Sequence, residues 1–163
     1  MKRVWIGLAA LAGACASNPA DVAAPAAQGK LTPEQVVAAR QAGYHLNAAT
    51  FGSLKSAIDS GQDVKALTFA ARGLQRWART APMMFPEGTG PGVADTRAKA
   101  EVWTNRADFD AKAVAFEAAA TRLVELSQAG DKAGFATQWA ATRDLCSSCH
   151  NVYRAEAQGG GAR

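Results

Sequence analysis

Cysteine is scarce in this chain, three among 163 residues. Any thiol chemistry therefore rests on Cys15, Cys146 and Cys149. β-Branched residues are sparse too, while alanine dominates a hydrophobic fraction of 48%. That balance favours helices over sheets. No strand pattern is strong enough to compete, and no internal repeat is visible. A large charge of one sign is also missing. The formal net charge is +4, and without Lys2 and Arg3 the balance is 16 basic to 14 acidic residues. With no basic stripe, nucleic acid is excluded as a partner. Long apolar runs are absent: Val4 to Ala14 spans only 11 residues, too few to cross an apolar layer of about 30 Å.

Behind Lys2 and Arg3, that short run reads as an export signal over residues 1–16. Two ends remain open for it. Ala12-Gly13-Ala14-Cys15 resembles a lipobox, though the usual leucine at its first position is missing, and it makes Cys15 a lipid anchor. Cleavage after Ala14-Cys15-Ala16 instead discards Cys15. Both place the mature protein in the periplasm. Residues 17–30, rich in Ala and Pro, are expected to form a disordered tether. The folded domain is expected over 31–157, with a frayed tail over 158–163.

Four helices are expected in that domain. Thr32-Pro33-Glu34-Gln35 reads as a capping box with proline at the first helical position. The first helix then runs to about Ser60, with Val37, Tyr44, Ala48 and Phe51 on one face. The second runs from about Asp63 to Thr80, inner residues Val64, Leu67, Ala71, Leu74 and Trp77. Residues 82–100, rich in Pro and Gly, form one long irregular connection. The third runs from about Asp108 to Ala129 and ends at Gly130. The fourth starts at Asp131 and reaches about Ala157, with Phe135, Trp139, Leu145, Cys149 and Val152 inward. The fold class is all-α, an antiparallel four-helix bundle.

The chemistry sits in CSSCH, residues 146–150. C-x-x-C-H is the attachment pattern of c-type haem. On a helix Cys146 and Cys149 share a face, where their thiols can add to two haem vinyl groups. His150, four residues after Cys146, lies on the same face and can serve as an axial iron ligand. A redox disulfide wants a strand-to-helix start rather than a helix interior. A zinc site needs more ligands than this chain supplies, the one other histidine being His45. One covalent haem c is the expected cofactor.

Residues 151–163 contain no Met, His or Lys. A second axial ligand would therefore come from upstream, where Tyr44, His45, Met83 and Met84 are candidates.

Four segments in order, LTPEQVVAARQAGY, FPEGTG, AEVWTNRADFDAKAVAF and CSSCHNVYR, resemble the cytochrome c′ family across nearly all of residues 31–156. The resemblance implies a high-spin, five-coordinate iron with His150 proximal. It puts Tyr44 in the distal pocket, four residues after Arg40. It puts Arg154 beside the proximal pocket, one turn beyond His150, and Arg40, Gln41 and Glu101 on the propionate side. A phenol is a poor ligand at neutral pH. His45 lies about 100° around the helix from Tyr44. Met83 and Met84 read as packing at the end of the bundle.

The leading expectation is a periplasmic haem protein, not an enzyme, that binds small gases such as NO or CO and transfers single electrons. The alternative is a six-coordinate, low-spin electron carrier ligated by His45 or Met83. A peroxidase would want a distal acid–base group, and Tyr44 is a poor base. The redox partner leaves no trace in the sequence, and the resemblance adds a homodimer through the first two helices.

Overall fold

The computed structural model describes residues 29–156. The export signal, Cys15, nearly all of the tether and the tail lie outside the described residues. Among the described residues there are five α-helices: α1 Pro33–Asp59, α2 Thr68–Thr80, the one-turn α3 Glu101–Thr104, α4 Arg106–Ala129 and α5 Lys132–Tyr153. The four long ones make the expected bundle.

Their ends follow local chemistry. Thr32 Oγ1 accepts the Gln35 N–H at 3.3 Å while Gln35 Oε1 accepts the Thr32 N–H at 2.9 Å. This reciprocal pair satisfies two otherwise orphaned donors. Asp131 Oδ1 accepts from the Gly134 N–H at 2.9 Å and opens α5. Gly130 closes α4 with φ +74°, a conformation that suits glycine. Asp63 caps a 3-10 turn, Val64–Leu67, and α2 begins only at Thr68. The third long helix starts two residues earlier than expected, at Arg106.

Neighbouring helices run antiparallel. Between α2 and α4, Ser127 Oγ donates to Thr68 Oγ1 at 3.0 Å, Gln75 Nε2 to Thr121 Oγ1 at 2.9 Å and Arg79 Nε to Glu117 Oε1 at 2.8 Å. Numbers rise along one helix as they fall along the other. Between α5 and α1, Phe51 stacks on Trp139 at 4.6 Å, and Trp139 Nε1 donates to the Phe51 carbonyl at 3.1 Å. Close approaches are dense for α2 with α4 and for α4 with α5, and few for α1 with α5.

The main core gathers Leu54, Leu74, Leu123 and Phe135, all buried, together with Trp139. Each such side chain contributes roughly 1.5–3 kcal/mol. A second cluster joins Phe85, Val102, Phe109 and Tyr153 to Tyr44 and Cys149 at the loop end of the bundle. Three expected inner or packed residues lie elsewhere. Ala48 is exposed, and Val152 is 37% exposed because its neighbour Tyr153 points in. Met83, at 76% exposure, packs on little, while Met84 joins the second cluster.

Helix α5 stops at Tyr153, short of the expected Ala157. The reason is a competing partner. Arg154 is extended, at φ −119° and ψ 127°, and forms an isolated antiparallel bridge with Ala98 of the loop.

Candidate haem site

Helix α5 carries Cys146, Cys149 and His150 in its last two turns, all partly buried. Both cysteines are free. Burial pushes both thiols above their ordinary pKa, so they stay protonated. Burial also holds the His150 imidazole below its usual value, helped by the Arg154 and Arg97 guanidiniums. A neutral imidazole is the form that offers a metal its lone pair.

Tyr44 of α1 faces this group, its ring 6.4 Å from that of His150. Trp77 meets Tyr44 edge-on at 5.1 Å and Phe85 meets it at 6.3 Å. Burial raises the Tyr44 phenol well above its ordinary value, with Cys149 adding to the effect, so it stays neutral. Trp77 reaches this position because residue 43 is glycine: a Cβ there would run into the indole ring. Trp77 Nε1 is buried without a hydrogen-bond partner.

The aromatic wall continues from Phe85 to Phe109 at 5.0 Å and from Phe109 to Tyr153 at 5.2 Å. Tyr153 Oη donates to Asp108 Oδ2 at 2.6 Å, and its pKa is pushed up to about 12, first by burial and then by that bond. Two thiols and a neutral imidazole on one helix, facing aromatic walls, fit a covalently attached haem. Among the described residues no group of three or more His, Cys, Asp or Glu side chains gathers to hold an ion instead.

The residues expected on the propionate side make the following contacts. Arg40 is only 3% exposed. Its Nη1 donates to the Met84 carbonyl at 3.0 Å and Thr89 Oγ1 at 3.3 Å. Its Nη2 donates to the Thr89 carbonyl at 3.0 Å and Thr96 Oγ1 at 2.7 Å. The guanidinium also lies 4.3 Å over the Phe85 ring. Gln41 Nε2 donates to the Asp95 carbonyl at 2.6 Å. Loop oxygens turned inward need donors, and these two side chains of α1 supply them. Glu101 is exposed at the start of α3, 3.9 Å from Lys99 Nζ. His45 is exposed, one residue from Tyr44. Arg154 caps the end of α5, one turn beyond His150, its N–H donating to the His150 carbonyl at 3.0 Å.

Sequence reasoning passed over Trp77 as a wall of the site, and over Phe85, Arg97, Asp108 and Tyr153. Spacing could have found Tyr153, four residues after Cys149 on the same helix face. Nothing local marks Arg97 or Asp108.

The sequence profile of the cytochrome c′ family matches residues 35–154. A cytochrome c′ of Pararhodospirillum photometricum is 42% identical over 73 residues, 45% of this chain and 58% of that protein. One from Allochromatium vinosum is 30% identical over 129 residues, 77% of this chain and 84% of that one. A solved cytochrome c′ with an unusual ligand-controlled dimer dissociation superposes at TM-score 0.73 and 28% identity, covering 78% of this chain and 100% of its own. The nitric oxide complex of a leucine-to-isoleucine mutant of cytochrome c prime from Alcaligenes xylosoxidans superposes at TM-score 0.70 and 25% identity, covering 77% and 98%.

Proposed function

This chain belongs to the cytochrome c′ family, and from that premise we propose that it binds NO or CO at a five-coordinate haem whose one protein ligand is His150. The family's cofactor is a single covalent haem c, which supplies an iron able to take a diatomic gas at an open axial position. Cys146 and Cys149 hold it through thioethers, and His150 stands ready as a neutral base.

One observation carries the proposal: the residue facing His150 is Tyr44, a phenol kept neutral by burial. A neutral phenol is a poor iron ligand but a usable hydrogen-bond donor. Packed against Trp77 and Phe85, it crowds the distal side and favours the smallest ligands. Arg154 borders the proximal side. A nitric oxide complex is known for one relative, in keeping with this reading. The low-spin alternative needs His45 or Met83 as second ligand, and the exposure of both side chains counts against it. We place the protein in the periplasm, as a carrier of gas and single electrons rather than an enzyme. Ligand-controlled dimer dissociation in one solved relative makes a second copy of this chain part of the proposal.

The absorption spectrum of the ferrous protein tests it. Broad high-spin bands that shift on adding CO are expected. Sharp α and β bands without added ligand would overturn the five-coordinate reading.

A further inference from the structure

We propose that the outer face of α2 is a docking surface for an acidic electron-transfer protein, with Phe69 at its centre and Lys65, Arg72 and Arg76 around it. The inference rests on the single-electron part of the reading above.

Charge is divided unevenly over the chain. No Asp or Glu occurs from Val36 to Ile58 or from Val64 to Phe85, stretches that include nearly all of α1 and the whole of α2. In the sequence the cations of α2 stand apart from one another, and the helix brings them to one side. Phe69, Arg72, Gly73 and Arg76 follow the three- and four-residue spacing of a single face. All four are exposed, as is Lys65 in the turn before them. The opposite face of α2 carries the buried Ala71, Leu74 and Ala78. Arg79, to one side, is taken by Glu117. Among the described residues, Lys65, Arg72 and Arg76 form no ion pair.

Phe69 is 87% exposed, and Leu46 of α1 is 71% exposed. Leu46 and Gly73 line one cleft between α1 and α2. An apolar centre inside a polar rim is how protein contacts are built. A rim of one sign steers and selects a partner of the other sign. A second copy meeting this face would set cation against cation, with no anion of its own there to pair them. Trp77 lines the same cleft. It meets Tyr44 at 5.1 Å, and Tyr44 stands 6.4 Å from His150. A partner seated on α2 is therefore joined to the haem site through one indole and one phenol. The exchange moves one electron: the partner is oxidised by one, the haem iron is reduced by one, and no bond is made or broken.

The test follows reduction of the ferric, haem-loaded protein by flavodoxin hydroquinone, an acidic one-electron donor, in stopped flow. The rate should fall as salt is raised. Arg72→Gln with Arg76→Gln should slow it about tenfold at low salt and flatten the salt dependence, while Phe69→Ser should slow it about threefold with that dependence kept. Lumiflavin semiquinone, small and uncharged, should reduce parent and variants alike. Amide signals of α2 should shift when oxidised flavodoxin is added to the parent. An unchanged rate and salt dependence in the arginine variant overturns the proposal, as does equal slowing by Arg122→Gln on α4. With flavodoxin rates unchanged, an arginine variant that no longer binds phosphatidylglycerol vesicles the parent binds makes the face a membrane surface. One that instead shifts the monomer–dimer balance makes it an interface between copies, and either result also overturns the proposal. If lumiflavin semiquinone does not reduce the parent, the single-electron reading fails, and the amide shifts still decide whether α2 docks an acidic protein.

Discussion

Arg40 shows how much one side chain can organise. Its buried guanidinium answers four oxygens, one at the end of the 3-10 turn Ala81–Met84 and three in the irregular loop that follows. Arg40→Met removes those donors, leaving Thr96 Oγ1 only its bond from the Ala98 N–H, and should cost about 3 kcal/mol, read from a urea unfolding curve. Thr96→Val, which removes one acceptor, should cost about 1 kcal/mol. Tyr153 gives a pH-dependent prediction. Its folded pKa of about 12 lies above the ordinary 10.0, because burial and the bond to Asp108 favour the neutral phenol. That stabilisation is complete below pH 10 and is lost as the pH rises toward 12. The urea midpoint should therefore fall over this window, and fall less steeply in Tyr153→Phe. At this scale legibility was uneven. Cys146, Cys149 and His150, which we propose hold the haem, announce themselves because the C-x-x-C-H pattern is local. Arg40 stood out too, but its partners lie more than forty residues away, and local sequence carries no mark of them.

The helices were more legible than the seams between them. The caps at Thr32, Asp131 and Gly130 follow from local hydrogen bonding and backbone preference, which sequence states directly. The end of α5 does not, since a bridge to Ala98 decides it. Two glycines make the same contrast and can be tested as a pair. Both lie inside helices, where glycine is weaker than alanine by about 0.5–1 kcal/mol. Nothing stands within 4 Å of a Cβ built on Gly73, so Gly73→Ala should stabilise by that amount. At Gly43 the new methyl would strike Trp77, and Gly43→Ala should instead destabilise by about 1–3 kcal/mol. Thermal unfolding of the two variants, with opposite signs expected, checks the pairing of α1 with Trp77.

The bundle as a whole was readable from helix count and connection lengths, but not the unequal strength of its four seams. Helix α1 meets α5 mainly through Phe51 on Trp139 and Tyr44 facing His150, whereas α4 is packed densely on both sides. Backbone amides of α1 should therefore exchange with solvent about tenfold faster than those of α4 in the haem-loaded protein, measured by mass spectrometry. Equal protection would contradict the inequality. The sparse seam also bears on the order in which the molecule is made. Tyr44 and His150 are separated by more than a hundred residues, so closing them together is entropically among the slowest contacts to form. While that seam stands open, α5 can present its thiols to a flat cofactor from the side, and α1 can shut afterwards. A cofactor taken up at that stage would meet an open seam instead of a finished wall.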